Sequence, residues 1–227
     1  MQTLDACYGG LKAAGAFDWY TDGAGGALCR FGNTLLVAGN LDLDTLFPFA
    51  NLLGVSRLEW LSPDDAQYRP PADWEAKSYP VLCRTGEALA DSTAIQPAAD
   101  LRRCFGILCA SDAQFAREAD YLPWLSDMTR RRNMGRAEAF LYDDAAVACI
   151  AAKGAQSAYL SSVAVDPKRR GEGLGLHLLR AVVSHPALRG RTIYTAAQNG
   201  PLIAFYQKAG FAPLGQRLTV IEKRTST

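Results

Sequence analysis

The stretch DPKRRGEGLG, residues 166–175, joins a strand-like segment to a helix-like one and carries the strongest local signal in the chain. Its basic residues run directly into glycines at every second position, Gly171, Gly173 and Gly175. Amides in the first turn of a helix lack intrahelical partners and carry partial positive charge, and glycines let several of them approach one anion. The stretch therefore predicts a turn that binds phosphate or pyrophosphate at the start of a helix.

Two common nucleotide-binding patterns do not fit this spacing. A dinucleotide-binding GxGxxG motif would need a glycine at position 176, where the sequence has Leu176. A P-loop would need a Gly-Lys pair followed by Ser or Thr, and the stretch has none. A glycine-rich connection that binds nothing remains the alternative at this point.

A resemblance to a known family carries the interpretation further. Residues 170–175 match the R-x-x-G-x-G pattern of the acyl-CoA pyrophosphate loop in the GNAT N-acetyltransferase superfamily. The segment QNGPLIAFYQKAGF, residues 198–211, resembles a second segment of that family, with Asn199, Tyr206, Gly210 and Phe211 in corresponding positions. Two such motifs in the right order, separated by a helix and a strand, are far more specific than either motif alone.

The resemblance covers roughly residues 101–224 and implies an α+β (α/β) GNAT fold, with a mixed, mostly antiparallel sheet flanked by helices. We expect two domains: residues 1–98, an N-terminal α/β domain interpreted as a degenerate GNAT-like half without a cofactor site, and residues 99–227, the GNAT domain.

For the function, the resemblance implies an N-acyltransferase that uses acetyl-CoA, or another short acyl-CoA, as co-substrate. The acceptor would be a primary amine of a small molecule or peptide, which attacks directly in a ternary complex. A non-catalytic relative that binds or senses acyl-CoA is the alternative, and a scaffold that keeps only the fold is a weaker one. The oligomeric state stays open.

The same resemblance assigns the residues that would hold CoA. The pantetheine arm would pair with the backbone of the strand that precedes the loop, and the pyrophosphate would bind the loop amides. Asn199 would contact the pantetheine arm, cap the helix that begins at residue 200, or do both. The predicted cofactor-binding residues are Val163, Ala164, Val165, Arg170, Gly171, Glu172, Gly173, Leu174, Gly175, Asn199 and Tyr206.

Chemistry at the thioester needs a proton donor and a route for the proton of the amine. Tyr206 is the predicted general acid for the departing thiolate. The strand before the loop, AYLSSVAV, lacks the carboxylate that many members of the family place there. Glu138 is the candidate base, with a water chain through Ser161 or Ser162 as the other possibility. Ser161 and Ser162, together with Tyr121 and Trp124, are the predicted acceptor-binding residues.

Bulk composition narrows the function classes. The 227 residues carry a formal net charge of +1, which argues against broad nucleic-acid binding. No apolar run is long enough to cross a bilayer, and the first residues do not read as a signal peptide, so we expect a cytoplasmic protein without membrane contacts. The six cysteines form no CxxC pair and the chain has two histidines, so we expect reduced thiols and no metal site.

Local patterns predict the elements around these motifs. Residues 3–17 read as a helix, residues 87–100 as a linker, and the apolar run RCFGILCA, residues 103–110, as a strand. A helix follows, interrupted near residue 122 because of Pro123. Its three arginines, Arg130 to Arg132, are predicted to form a solvated face. Two strands should turn at Asp143 and Asp144, and the chain should end in a hairpin.

Overall fold

The computed structural model describes residues 18–21, 26–39, 42–63, 69–87, 89 and 94–224. The predicted helix at residues 3–17 and part of the predicted linker lie outside these ranges. The strands are β1 Asp18–Thr21, β2 Ala27–Phe31, β3 Thr34–Ala38, β4 Arg57–Pro63, β5 Trp74–Thr85, β6 Glu138–Tyr142, β7 Ala146–Lys153, β8 Ser157–Val165, β9 Thr192–Ala196 and β10 Ala212–Lys223. The helices are α1 Leu43–Leu52, α2 Leu101–Ser111, α3 Ala113–Glu118, α4 Tyr121–Asn133, α5 Leu174–Val183 and α6 Gly200–Lys208.

The described strands form one sheet in the order β1-β2-β3-β4-β10-β5-β9-β8-β7-β6. Two pairs of neighbours, β3 with β4 and β8 with β9, are parallel, and the other pairs are antiparallel. Each parallel pair is joined through a helix, as a parallel connection requires. The predicted mixed, mostly antiparallel sheet is confirmed.

The strand order has the same pattern when it is followed from either edge. From one edge, β1, β2 and β3 are antiparallel, β4 is parallel to β3, and the twelve-residue strand β10 follows. From the other edge, β6, β7 and β8 are antiparallel, β9 is parallel to β8, and the twelve-residue strand β5 follows. In each case the long strand comes from the other half of the chain. As a result β5 lies between β9 and β10, while β10 lies between β4 and β5. The sheet is therefore continuous across residue 98, and the division into two domains there stays a prediction.

Helices cover both faces of β7 and its neighbours. Ala148 and Ile150 of β7 pack with Leu178 and Leu179 of α5 on one face. Successive side chains of a strand point to opposite faces, so the alternate residues of β7 pack on the other face, against α2 and α4. Strand β8 lies between these two cores, with Val163 and Val165 packed against one and Ala164 against the other. The end of β8 therefore lies beside the start of α5.

Several predicted elements need correction. Residues 101–111 form helix α2, capped by Asp100, whose side chain accepts a hydrogen bond from the amide of Arg103. The interruption of the next helix lies at residues 119–120, and Pro123 is accommodated in the first turn of α4. Residues 212–223 form one bulged strand, β10, rather than the predicted hairpin. In the described part of the chain, no helix is long and apolar enough to span a bilayer.

Candidate functional site

A cleft opens where β8 and β9 separate. The two strands pair over residues 157–159 and 192–194 alone, although β8 continues to Val165 and β9 to Ala196. The cleft has a volume of about 690 Å³ and is lined by the end of β8, the α2–α3 junction, the start of α5 and the first turns of α6. The separation exposes one edge of β8 over the residues that lead into the glycine-rich stretch.

A β-bulge lies just beyond the last residue at which β8 pairs with β9. Cys149 of β7 pairs with Ser162, and Ile150 pairs with Leu160, so Ser161 stands opposite no residue of β7. An extra residue of this kind bends the bulged strand and increases its twist. The hydroxyl of Ser161 donates a hydrogen bond to the carbonyl oxygen of Cys149 at 3.3 Å, which fixes the bulge.

The glycine-rich stretch forms a turn that presents backbone amides. Asp166 begins it by accepting a hydrogen bond from the amide of Lys168 at 3.1 Å. Gly171 and Gly173 have φ of +88° and +79°, in the left-handed region that favours glycine, and α5 begins directly after Gly173. In the part of the chain that the structure describes, no group accepts a hydrogen bond from the amides of residues 170–175. These amides are available to an external anion.

Gly175 serves a different purpose, namely close packing. It is buried, and a Cβ atom there would lie 3.2 Å from Cγ2 of Val165 and 3.5 Å from the ring of Phe205. The absence of a side chain therefore lets the first turn of α5 approach both β8 and α6 at the cleft wall.

The basic residues of the turn have distinct partners. Arg169 forms ion pairs with Glu172 at 2.6 Å and with Asp143 at 2.9 Å. Hydrogen bonds from Arg169 lower the pKa of Glu172, so that carboxylate is held ionised and paired. Arg170 instead donates to the carbonyl oxygens of Ser111 at 3.2 Å and Val165 at 3.4 Å, which ties the turn to the end of α2. The positive charge of Arg169 thus neutralises the carboxylate of Glu172, which would otherwise repel an anion at the turn.

Asn199 caps α6. Its side-chain oxygen accepts a hydrogen bond from the amide of Leu202 at 3.0 Å, and Asn199 also lines the cleft. The capping role, which the sequence left as one of two compatible possibilities, is thus observed.

Tyr206 lies in the wall of the cleft and is 6% exposed. Its ring meets those of Phe205 and Phe211 edge-on, with centroids 5.3 Å and 5.5 Å apart. Burial raises the pKa of the Tyr206 hydroxyl, and a hydrogen bond with the Thr195 side chain acts in the opposite direction. With its pKa raised above the ordinary value for tyrosine, the hydroxyl keeps its proton at neutral pH.

Most of the predicted cofactor-binding residues meet at this cleft. Val163, Ala164, Val165, Arg170, Gly175, Asn199 and Tyr206 line it, as do Ser161 and Ser162. The segment 171–174 forms the turn at its end.

Three predicted site residues lie elsewhere. Glu138 is outside the described lining of the cleft and forms an ion pair with Nε of Arg132 at 2.8 Å. Tyr121 and Trp124 pack around Phe105, with ring centroids 5.2 Å and 5.3 Å away. These positions do not support Glu138 as a base or the two aromatic residues as a wall of the acceptor pocket.

Of the three arginines of α4, Arg130 is exposed as predicted, whereas Arg131 and Arg132 are partly buried. Arg131 is paired with Asp127 and donates to the carbonyl oxygen of Ala151 at 2.6 Å. Arg132 donates to the carbonyl oxygen of Ala98 at 3.0 Å. They attach α4 to the edge of the sheet instead.

The sequence did not reveal the wall formed by the α2–α3 junction. Leu108, Ser111, Asp112 and Phe115 line the cleft there. Asp112 is a residue type favoured at helix N-caps and could have indicated that a helix begins there. In the structure its carboxylate accepts hydrogen bonds from the amides of Gln114 and Phe115.

The model of the acetyltransferase (GNAT) family matches residues 98–211. The chain belongs to this family. The match begins just before α2 and ends at Phe211, so it includes both motifs that border the cleft, residues 170–175 and 198–211. No curated protein matches the sequence.

Solved structures of GNAT proteins have the same fold. A GCN5-related N-acetyltransferase from Kribbella flavida is 12% identical, with a TM-score of 0.63 over 99% of this chain and 95% of that one. One from Sphaerobacter thermophilus is 14% identical, with a TM-score of 0.57 over 89% of this chain and 78% of that one. A tandem GNAT protein from the clavulanic acid biosynthesis pathway is 17% identical, with a TM-score of 0.51 over 89% of this chain and 80% of that one.

Proposed function

We propose that the protein transfers an acetyl group from acetyl-CoA to a primary amine of a small molecule or peptide, by direct attack in a ternary complex. One observation carries the proposal. The cleft between β8 and β9 leads directly to the free amides of residues 170–175 and has the Tyr206 hydroxyl in its wall.

The residues present fit CoA. Its pyrophosphate needs donors and positive charge, which the amides of residues 170–175 and the guanidinium of Arg170 would supply. Its pantetheine arm is rich in amides and could pair with the edge of β8 that β9 leaves free beyond residue 159. A cleft of about 690 Å³ lies within the usual range for small-molecule sites.

Acetyl-CoA, when bound, supplies the acetyl group as a thioester. The role proposed for Tyr206 is to hold a proton at its hydroxyl and give it to the sulfur that leaves. Burial suits this role, because it keeps Tyr206 protonated at neutral pH. The surrounding Phe205 and Phe211 limit the movement of the ring.

The amine must lose a proton before it attacks, because amines are mostly protonated at neutral pH. Glu138 is ion-paired to Arg132 outside the cleft lining, so we do not assign it this role. We propose that ordered water beside Ser161 and Ser162 carries the proton to solvent, since both residues line the cleft at the bulge.

A turnover assay tests the proposal. Release of free CoA from acetyl-CoA would be measured with amines, amino acids, polyamines and peptides, for the wild type and for Tyr206→Phe. We expect turnover with at least one acceptor class and a loss of about 100-fold in kcat for the variant, in the range of general acid catalysis. Equal turnover of the two proteins would remove Tyr206 from the mechanism.

Binding without transfer is the second candidate function, and the position of Glu138 outside the cleft lining favours it. It predicts that CoA raises the melting temperature while no acceptor supports turnover.

A further inference from the structure

Ser111 connects the end of α2 to the end of β8. It is the last residue of α2, and its hydroxyl donates a hydrogen bond at 2.9 Å to the carbonyl oxygen of Val165, the last residue of β8. Arg170 adds two longer hydrogen bonds, to the same carbonyl oxygen at 3.4 Å and to that of Ser111 at 3.2 Å. The wall at the α2–α3 junction is thus fastened to the strand that leads into the glycine-rich turn.

The carbonyl group of Val165 faces the cleft, as the pairing of β8 with β7 shows. The amide of Asp166 donates a hydrogen bond to the carbonyl oxygen of Ala145 at 2.8 Å. The preceding pair, Val165 with Ala146, therefore exchanges no hydrogen bonds, because bonded and non-bonded pairs alternate in an antiparallel ladder. The backbone groups of Val163 and Val165 thus point away from β7, toward the edge that β9 leaves free beyond residue 159.

These two valines place an amide and a carbonyl each along the free edge of β8. Ser111 already occupies one of the four groups, the carbonyl oxygen of Val165. Within the described residues, no group forms a hydrogen bond with the other three, which are the amide and carbonyl of Val163 and the amide of Val165. An extended, amide-rich arm can add to such an edge as another strand would. It would meet three open groups and, next to the turn, one that is closed.

We propose that Ser111 is a positioning residue for the pantetheine arm of acetyl-CoA. Its hydroxyl fixes the end of β8 against α2, so the open groups of Val163 and Val165 are in place before the arm arrives. Little binding free energy is then lost in ordering the strand. The inference rests on the proposed function, because it concerns the arm of the same co-substrate. The pyrophosphate has other partners, the amides of residues 170–175, so its binding should not depend on Ser111.

The test compares CoA with a fragment of CoA that lacks the arm. The fragment is adenosine 3′-phosphate 5′-diphosphate, and calorimetric titration measures the affinity for each ligand. We expect Ser111→Ala to weaken CoA binding about fivefold, the usual value of one neutral hydrogen bond, and to leave the affinity for the fragment unchanged. Ser111→Thr keeps the hydroxyl and should bind both ligands as the wild type does. The matched control is Ser126→Ala, which removes a hydroxyl from an exposed residue of α4 and should change neither affinity.

The split between the two ligands separates positioning from a general loss of structure. A purely structural role of Ser111 would weaken both ligands together, and this result would overturn the inference. An unchanged CoA affinity in Ser111→Ala, or a threonine variant that binds CoA as weakly as the alanine variant, would also overturn it. If the wild type binds CoA but no acceptor supports turnover, a loss confined to CoA keeps the role of Ser111 and shows that the proposed transfer has failed. A wild type that does not bind CoA would overturn both.

Discussion

At the scale of single residues, the glycines beside the cleft have two different structural roles. Gly171 and Gly173 adopt left-handed backbone conformations in the turn. Gly175 instead lies where α5 meets β8 and α6, and a Cβ atom there would lie 3.2 Å from Cγ2 of Val165, closer than an ordinary contact. A motif that reads as one glycine-rich turn therefore combines backbone geometry with close packing.

We predict that Gly175→Ala destabilises the protein by about 1 kcal/mol, because the added methyl group would lie 3.2 Å from Cγ2 of Val165, which must then shift. Chemical denaturation followed by circular dichroism measures this. The matched control is Gly106→Ala, an exposed position of α2 where a Cβ atom meets nothing within 4 Å. That change should stabilise by about 0.5–1 kcal/mol. A Gly175→Ala variant as stable as the wild type would contradict the packing argument.

At the scale of elements, Asp112 both ends α2 and begins α3. Its carboxylate accepts hydrogen bonds from two amides of α3, at 2.8 Å and 3.0 Å. Helix α3 has six residues, none of them fully buried, and Phe115 packs partly against the core, so we expect the cap to contribute a large share of its stability. Phe115 of α3 lines the cleft, which makes the cap part of the site.

Replacing Asp112 should loosen α3 without unfolding the protein. We predict that Asp112→Ala removes about 1 kcal/mol of local stability, the usual value of an N-cap. Hydrogen exchange of residues 113–118 should then be several times faster, with little change in the melting temperature. Asp112→Asn keeps an oxygen acceptor and should exchange like the wild type. Unchanged exchange in the alanine variant would show that packing holds α3.

The sequence predicted the elements on which the motifs lie, namely β8, α5, β9 and α6, because their periodicity, glycines and caps agree. It failed at α2, where a short apolar run fits a strand or a buried helix equally well. The buried residues Leu101, Cys104, Ile107 and Leu108 show helical spacing. Interpreting that segment as a strand also left the α2–α3 junction out of the predicted site, although Leu108 and Phe115 line the cleft.

At the scale of the whole molecule, the two halves of the chain share their cores. Leu82 of β5 packs with Leu178 and Tyr206 in one core, and Ile221 of β10 packs with Leu35 and Leu58 in another. Strand β5 of the N-terminal half thus packs in the core of the C-terminal half, and β10 of the C-terminal half packs in the core of the N-terminal half. The sequence could not show this exchange, because pairing between distant strands leaves no local pattern.

The symmetric strand order supports the interpretation of the N-terminal half as a degenerate copy, which stays a proposal. Its parallel strands β3 and β4 pair along all of β3, unlike β8 and β9. Helix α1 begins with two carboxylates, Asp42 and Asp44, where a phosphate site would need free amides.

We predict that residues 94–227 alone do not unfold cooperatively, because they lack β5 and leave the facing edges of β9 and β10 unpaired. Thermal denaturation by circular dichroism tests this, with the full chain as control. Adding residues 1–93 as a separate chain should restore a cooperative transition. A fragment that melts like the full chain and binds CoA would show that β5 is dispensable.

The central claim is that the turn at residues 170–175 binds the pyrophosphate of CoA, and calorimetric titration of CoA into Gly173→Asp tests it most directly. Aspartate is a favoured helix N-cap and tolerates left-handed φ, and a Cβ atom at residue 173 would meet only His177, at 3.7 Å, so the fold should hold. Gly173→Asn has the same shape without the charge and is the matched control. We expect the aspartate variant to lose about 100-fold or more in CoA affinity and the asparagine variant to lose less, because both side chains can cap the first amides of α5 but only the carboxylate also repels two phosphates. Wild-type affinity in Gly173→Asp would contradict the account.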